Sequence, residues 1–420
     1  MKIAFVSQPW DTLRSPVTSG SIPIWTYEVA KRLSADCAVT IYARRSEGQL
    51  AQEIASGVEY RRVAISGNRW CNAASKAIAR AAPKFRYLNS RLYGLPYYMR
   101  VAADLRKQSC DVVHIHNFSQ AVPIIRALNP TIRIVLHMHC EWLTQFEKDI
   151  VESRLEKCDL VIGCSDYITN KVRSHFPQMA QKCQRVYNGV DVQQFTVGLR
   201  NVRQKQRVLF VGRISPEKGL HTLIEAFKQI ADRFPASELQ IIGPNKPTLA
   251  EFIADLSDDL KVRRLALLDP PNYLERLKMQ VPESLAQRIS FVGQVSHLQL
   301  QDYFQQSALL VNPSLSEAFG MSLVEAMASG VPVVATQVGG MTDVVTDGET
   351  GLLVPADDAE QLGAAIAHLL SDEALRQVMG QQGRQRAEDV FAWDAIASDL
   401  LSHYHALTGI HLQERSHEPY

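Results

Sequence analysis

Ser316-Glu317-Ala318-Phe319-Gly320-Met321-Ser322-Leu323-Val324-Glu325-Ala326-Met327-Ala328-Ser329-Gly330-Val331-Pro332-Val333-Val334 reads as a loop, a helix and the start of a strand in one run. The apolar run Ala308–Asn312 precedes it, and Pro313 and Ser314 end that run. Met321–Ser329 has the composition of a helix, and Val331–Ala335 turns β-branched again. An apolar strand, a helix and a second apolar strand form the unit of a buried parallel sheet. Glu317 lies ahead of the helix, where backbone amides lack internal partners, and Glu325 sits about one turn inside it. Ala318, Phe319, Ala326 and Ala328 surround the two carboxylates with small or apolar groups, a costly place for idle charge.

Working outward, the same alternation fills the second half of the chain. Strands are predicted at Val208–Val211, Leu239–Ile242 and Ile289–Val292, and a helix at His221–Phe234. Residues 244–286 form a long connection that breaks at Asp269-Pro270-Pro271-Asn272. From Pro355 to Leu412 the pattern is mostly helical, and an amphipathic helix at Trp393–Leu407 is placed to brace the first domain. The first half repeats the theme, with strands at Lys2–Ser7, Cys37–Ala43, Val112–His116, Arg133–His139 and Leu160–Cys164. Helices are expected at Pro23–Leu33 and Lys148–Lys157, among others. Residues 196–206 are polar and unpatterned, which marks a linker. The chain is thus α/β, with two Rossmann-like domains at 1–195 and 207–385 and a returning helix at 386–412, as its 420 residues allow.

Composition adds boundaries. Seven cysteines, odd in number and without a C-x-x-C pair, point to free thiols in a reducing compartment. The N-terminus reads as a first strand, and no apolar stretch is long enough to span a membrane, so the expected location is the cytoplasm. The net charge of +1 hides an asymmetry: residues 1–195 hold 26 Lys and Arg against 16 Asp and Glu, and the remainder 19 against 28. Residues 61–107 carry 11 bases and one acid, with Trp70, Phe85, Tyr87, Tyr93, Tyr97 and Tyr98 interleaved. Such a stretch fits peripheral contact with a membrane or an anionic acceptor, or a solvated face over core aromatics. Zinc-finger spacing, RNP-like strands and helix-turn-helix signatures are missing, so nucleic acid is not an expected partner.

Two further constellations carry chemistry. Arg207-Val-Leu-Phe-Val-Gly212-Arg213-Ile-Ser-Pro216-Glu217-Lys218-Gly219 leaves a strand through a glycine turn into a helix. Ligands of open α/β sheets bind beyond such strand ends, which places Arg213 and Lys218 to meet a diphosphate. Gly219 follows Lys218 where a P-loop would have Ser or Thr. Asp-x-Asp occurs nowhere in the chain, so two cations and a helix N-terminus stand in for a divalent metal, and no essential metal is expected. Phe319, Gly320 and Met321 can turn backbone amides to the ligand, glycine at 320 permitting close approach. Glu325 suits ribose hydroxyls and Glu317 sugar hydroxyls, which makes a nucleotide sugar the natural ligand. In the other half, His114 and His116 share one strand end, and His137 and His139 another. Pairs on separate strands need not converge, and Glu141 is their sole carboxylate neighbour, so hydrogen-bonded roles are expected for at least two. His139 is the first choice for contact with a transferred sugar. Thr18-Ser19-Gly20-Ser21-Ile22 is a small-residue loop able to approach phosphate or acceptor.

These motifs resemble those of the retaining glycosyltransferases of family 4, which have the GT-B fold. The resemblance runs from Met1 to about Leu407 and is carried by FVGRISPEKG (210–219), NGVD with Phe195 (188–195), PSLSEAFGMSLVEAMASGVPVVAT (313–336), Gly339-Gly340 and GETGLLV (348–354). It implies two Rossmann-like domains whose parallel sheets face a central cleft, with a C-terminal helix crossing back. Glu317 and Glu325 match the E-x7-E motif, implying contact with the donor sugar and the ribose respectively. Arg213 and Lys218 match the diphosphate ligands, His139 the histidine beside the transferred sugar, and Gly20 the glycine-rich loop. Here the chain departs from the family pattern, which usually shows two or more glycines, because Ser21 follows Gly20. The implied reaction moves a hexose-type sugar, with UDP the expected nucleotide, to a hydroxyl of a saccharide or lipid-linked acceptor. A sugar-nucleotide epimerase or phosphorylase on the same fold, and a non-catalytic nucleotide-binding protein, are the alternatives.

Overall fold

A computed structural model describes residues 1–17, 19–65, 68–81, 87–198, 206–246, 257, 259–268 and 272–410. By contact the chain falls into two units. One comprises Met1–Cys164, Thr169–Val186 and the residues from Asp394; the other comprises Ser165–Ile168 and Tyr187–Trp393. Most of the predicted linker and of the Asp269-Pro270-Pro271 break lies outside the described residues.

The first unit holds β1 (Lys2–Val6), β2 (Ala38–Arg44), β3 (Gln52–Ala55), β4 (Val58–Val63), β5 (Val112–His116), β6 (Arg133–Met138), β7 (Leu160–Gly163) and β8 (Cys183–Arg185). They form one eight-stranded sheet in the order β3-β4-β2-β1-β5-β6-β7-β8. Every pairing is parallel except the hairpin of β3 and β4. That hairpin and β8 are additions to the strands expected from sequence. The central strands are apolar because both faces are covered: Ile3, Ala4, Phe5 and Val6 are wholly buried. The order reverses between β1 and β5, so the loops leaving these strands open at a topological switch point.

The second unit holds β9 (Arg207–Val211), β10 (Glu238–Ile242), β11 (Ile289–Gly293), β12 (Leu309–Asn312), β13 (Val333–Thr336) and β14 (Gly351–Val354). They form a six-stranded parallel sheet in the order β11-β10-β9-β12-β13-β14. Helix Leu220–Ile230 buries Leu220, Leu223, Ile224, Phe227 and Ile230, a stripe at helical spacing that joins the core. Here the switch lies between β9 and β12. The loop with Arg213 and Lys218 leaves the first of these strands, and the loop with Glu317 leaves the second. The fold therefore sets side by side two segments separated by about a hundred residues. Residues 187–195 also pack in this unit, where Arg384 donates to the carbonyls of Phe195 (2.6 Å) and Val192 (3.1 Å).

Helix Trp393–Thr408 returns to the first unit. Tyr404 is fully buried there, its Oη 2.6 Å from His114 Nδ1. Near the helix start, Arg32 Nε donates to Asp394 Oδ1 at 2.6 Å, but the Asp394 side chain is 86% exposed. The buried hydrogen bond should dominate. Tyr404→Phe is expected to cost about 1–2 kcal/mol of stability, and Asp394→Ala less than about 1 kcal/mol. Thermal melts of the two variants check this ordering, and equal midpoints would contradict it.

Candidate active site

In the second unit, Lys218 Nζ donates to Glu317 Oε2 at 2.6 Å, joining the β9 loop to the β12 loop. Both side chains are mostly buried, 15% and 18% exposed. Burial pushes the Glu317 carboxyl up, yet Lys218, Arg213 and the Phe319 amide together outweigh it and hold the group below the usual glutamate range. Arg213 is more exposed and pairs through Nη2 with Glu217 Oε1 at 3.1 Å. Glu217 is itself buried, receives the Ser215 hydroxyl, and offers its carbonyl to Leu315 N–H at 2.8 Å. The sequence motifs do not single out Glu217, and its position four residues after Arg213 is the one signal they offer.

Helix Met321–Ala328 opens on Gly320, whose φ is +102°. A Cβ here would fall 2.9 Å from Leu323 Cδ1 and 3.3 Å from Met341 Cγ, so side chains already occupy the space. The positive φ is what requires glycine. The Phe319 amide is aimed at the Glu317 carboxylate, while the Phe319 ring packs against Tyr187 and Phe391. Glu325, 5% exposed, accepts a bond from His297 at 2.8 Å. His297 follows β11 in a short turn fixed by Ser296 and Gln299, and its ring lies edge-on to Phe195. It is a second residue that sequence spacing does not reveal. Gly339 explains the glycine pair at 339–340. Its φ is +54°, and a Cβ there would lie 1.9 Å from the Glu317 carbonyl oxygen. The same carbonyl accepts from Gly340 N–H at 3.0 Å.

In the first unit, Gly20 caps helix Ser21–Leu33 with φ +83°. Ser21 and Ile22, read from sequence as loop, form its first turn, because Pro23 is favourable early in a helix; Thr18 lies outside the described residues. The four histidines, whose convergence the sequence leaves open, come together. Parallel pairing of β5 and β6 sets His116 opposite His137. His114 Nε2 meets His137 Nδ1 at 3.1 Å, and His116 Nδ1 meets His139 Nε2 at 3.1 Å. The Trp25 ring stacks on His114 and stands edge-on to His137. Burial pushes His114, His116 and His137 well below the usual histidine range, with neighbouring histidines adding to the effect, so these rings are neutral.

Ligand atoms of His114, His116 and His137 lie within 4.8 Å of one another, a spacing that could hold a metal ion. Most of their nitrogens already meet hydrogen-bonding partners, within the cluster or beside it: His114 meets Tyr404 and His137, and His116 meets Thr26 and His139. His137 Nε2 is buried without a hydrogen-bond partner among the described residues. Glu141, the carboxylate next along the chain, pairs instead with Lys171. The cluster is a hydrogen-bonded stack. Of the aromatics in 61–107, Tyr93, Tyr97 and Tyr98 are core residues, whereas Trp70 is 81% exposed.

The ion pair makes a signed prediction. Because the folded pKa of Glu317 is depressed, its stabilisation is present above the unfolded value and is lost as pH falls through the folded one. Lys218→Met removes the main opposition to burial, so the Glu317 midpoint should move upward. Carboxyl-carbon NMR titration of the ligand-free protein reads this directly, and an unmoved midpoint would contradict the pairing.

Comparison with known proteins agrees with this architecture. The model of group 1 glycosyl transferases matches residues 198–386, and that of glycosyltransferase family 4 matches residues 23–194. Spore coat protein SA of Bacillus subtilis is 26% identical, covering 96% of this chain and 99% of that protein. A D-inositol 3-phosphate glycosyltransferase of Nocardiopsis dassonvillei is 25% identical, covering 97% and 95%. Among solved structures, sucrose-phosphate synthase from Thermosynechococcus elongatus aligns with TM-score 0.73 at 22% identity, covering 97% of this chain and all of that one (100%). HepE of Anabaena in complex with UDP aligns with TM-score 0.68 at 19% identity, over 97% and 100%. The chain is a GT-B-fold protein related to the group 1 and family 4 glycosyltransferases.

Proposed function

We propose that the protein is a retaining glycosyltransferase that moves a hexose-type sugar from a nucleotide diphosphate sugar, with UDP as the nucleotide, to a hydroxyl of a saccharide or lipid-linked acceptor. The observation that carries this reading is the meeting of Lys218 and Glu317 beyond β9 and β12, with Arg213 beside them in charge. A cation for the departing diphosphate and a carboxylate for the sugar hydroxyls are thereby held within one hydrogen bond. The UDP bound to HepE supports the donor class, and the name of the Nocardiopsis relative supports glycosyl transfer as the reaction class.

Bond cleavage leaves the anomeric C–O electron pair on the diphosphate, whose growing charge Arg213 and Lys218 stabilise. The acceptor oxygen bonds to the anomeric carbon on the same face, and its proton passes to the departing phosphate. Glu325, steadied by His297, accepts from the ribose, and Glu317 from the sugar. The amides at Phe319, Gly320 and Met321 complete the second-unit contacts, and His139 and the Gly20 loop supply those of the first unit. In this scheme fixed cations make a metal unnecessary.

Among the described residues no helix is long and apolar enough to cross a membrane. A cytoplasmic location with peripheral contact through 61–107 completes the proposal, with Trp70 as its exposed aromatic.

A panel of UDP- and GDP-sugars, read by nucleotide release with and without a membrane extract, tests the reaction. Turnover dependent on acceptor is expected; conversion without any acceptor would favour an epimerase. Lys218→Ala and Glu317→Ala should each lower transfer by roughly 100- to 1,000-fold while circular dichroism stays native. A near-normal rate in either variant removes that residue from its role.

A further inference from the structure

We propose that Thr26 and His116 are positioning residues that fix which nitrogen of His139 carries its proton, a relay that rests on His139 lying beside the transferred sugar. The assignment follows from counting hydrogens along one chain of contacts. Thr26, on helix Ser21–Leu33, donates its single hydroxyl hydrogen to the Ile22 carbonyl at 2.8 Å. The same oxygen lies 3.0 Å from His116 Nε2, so it can only accept there, and His116 must carry its proton on Nε2. His116 is wholly buried and neutral, which leaves Nδ1 as a lone pair. That lone pair faces His139 Nε2 at 3.1 Å. His139 must therefore donate from Nε2, and in its neutral form the Nδ1 atom holds the lone pair.

The backbone reinforces this setting. His139 N–H donates to Asn117 Oδ1 at 2.7 Å, and Asn117 in turn donates to Gln8 Oε1 at 3.2 Å. The residue is thus held at its main chain by the loops after β1 and β5, and at its ring by the helix that Gly20 caps. A histidine whose proton is placed in advance meets a sugar hydroxyl without first exchanging tautomers. Outer partners of functional histidines commonly serve this purpose. The small-residue segment at 19–22 contributes to the relay as well, because it starts the helix that delivers Thr26.

Nitrogen-15 labelling of histidine in the full-length protein supplies the test. Wild-type His139 should appear as the Nε2–H form, and a His139 signal protonated on Nδ1 at neutral pH overturns the proposal without any variant. Thr26→Val keeps the side-chain shape but removes the acceptor, so His139 should become a mixture of tautomers. With UDP-glucose, kcat should fall roughly 10- to 100-fold while KM changes little. Thr26→Ser should restore both the single tautomer and the rate. A Thr26→Val enzyme with the wild-type tautomer and wild-type kcat overturns the relay. The underlying reading fails separately: His139→Ala with an unchanged rate would remove His139 from the reaction, even where the wild-type spectrum shows the expected tautomer.

Discussion

The contact between Lys218 and Glu317 is the constraint on which the second unit depends. Two loops must present opposite charges at adjacent strand ends, and the sheet order makes β9 and β12 neighbours. Removing either partner leaves a mostly buried charge uncompensated, a heavy cost compared with losing an exposed pair. The glycines around the pair follow from it. Gly339 admits the Glu317 carbonyl at a distance no Cβ would allow, and Gly340 hydrogen-bonds that same carbonyl. Glu217 plays the matching part under Arg213.

The first unit solves a different problem. It buries three imidazoles beside Trp25, where burial disfavours their charged form, and links them through hydrogen bonds between their ring nitrogens and those of their neighbours. A neutral stack avoids the cost of buried charge while keeping direction in its hydrogen bonds. Tyr404, from the far end of the chain, closes one end of the stack on His114. The returning helix is therefore tied to a polar feature of the core as well as to apolar packing.

Much of this is legible in the sequence because buried parallel strands are predominantly apolar along their whole length. VVHIH, LVIG, LLVN and VVAT each read as a strand, and each is wholly buried. The hairpin of β3 and β4 escapes for the opposite reason. QEIA is the edge strand, where polar residues are tolerated, and VEYRRV, one strand in, alternates buried and half-buried residues, so neither carries an unbroken apolar signal. The charged residues of the candidate site are readable from their loops, since the glycine turns and the carboxylate pair sit at strand ends. Their partners are not. His297 reaches Glu325 from another strand end, and the four histidines meet only because β5 and β6 pair in one register. Register is a property of the assembled sheet, which no local spacing announces. The aromatics of 61–107 divide in the same way, Tyr97 and Tyr98 going to the core and Trp70 to the surface.

Calorimetric binding of UDP to wild-type protein and to Glu317→Gln tests the central claim most directly. UDP carries the diphosphate but not the hexose to be transferred, so the variant loses no hexose-hydroxyl contact and frees Lys218 from its carboxylate. Glu317→Gln is predicted to bind UDP about fivefold more tightly, equivalent to about 1 kcal/mol, while transferring no sugar. Unchanged or weaker UDP binding in the variant would contradict this, because Glu317 would then not be the group that neutralises the lysine proposed to bind the diphosphate.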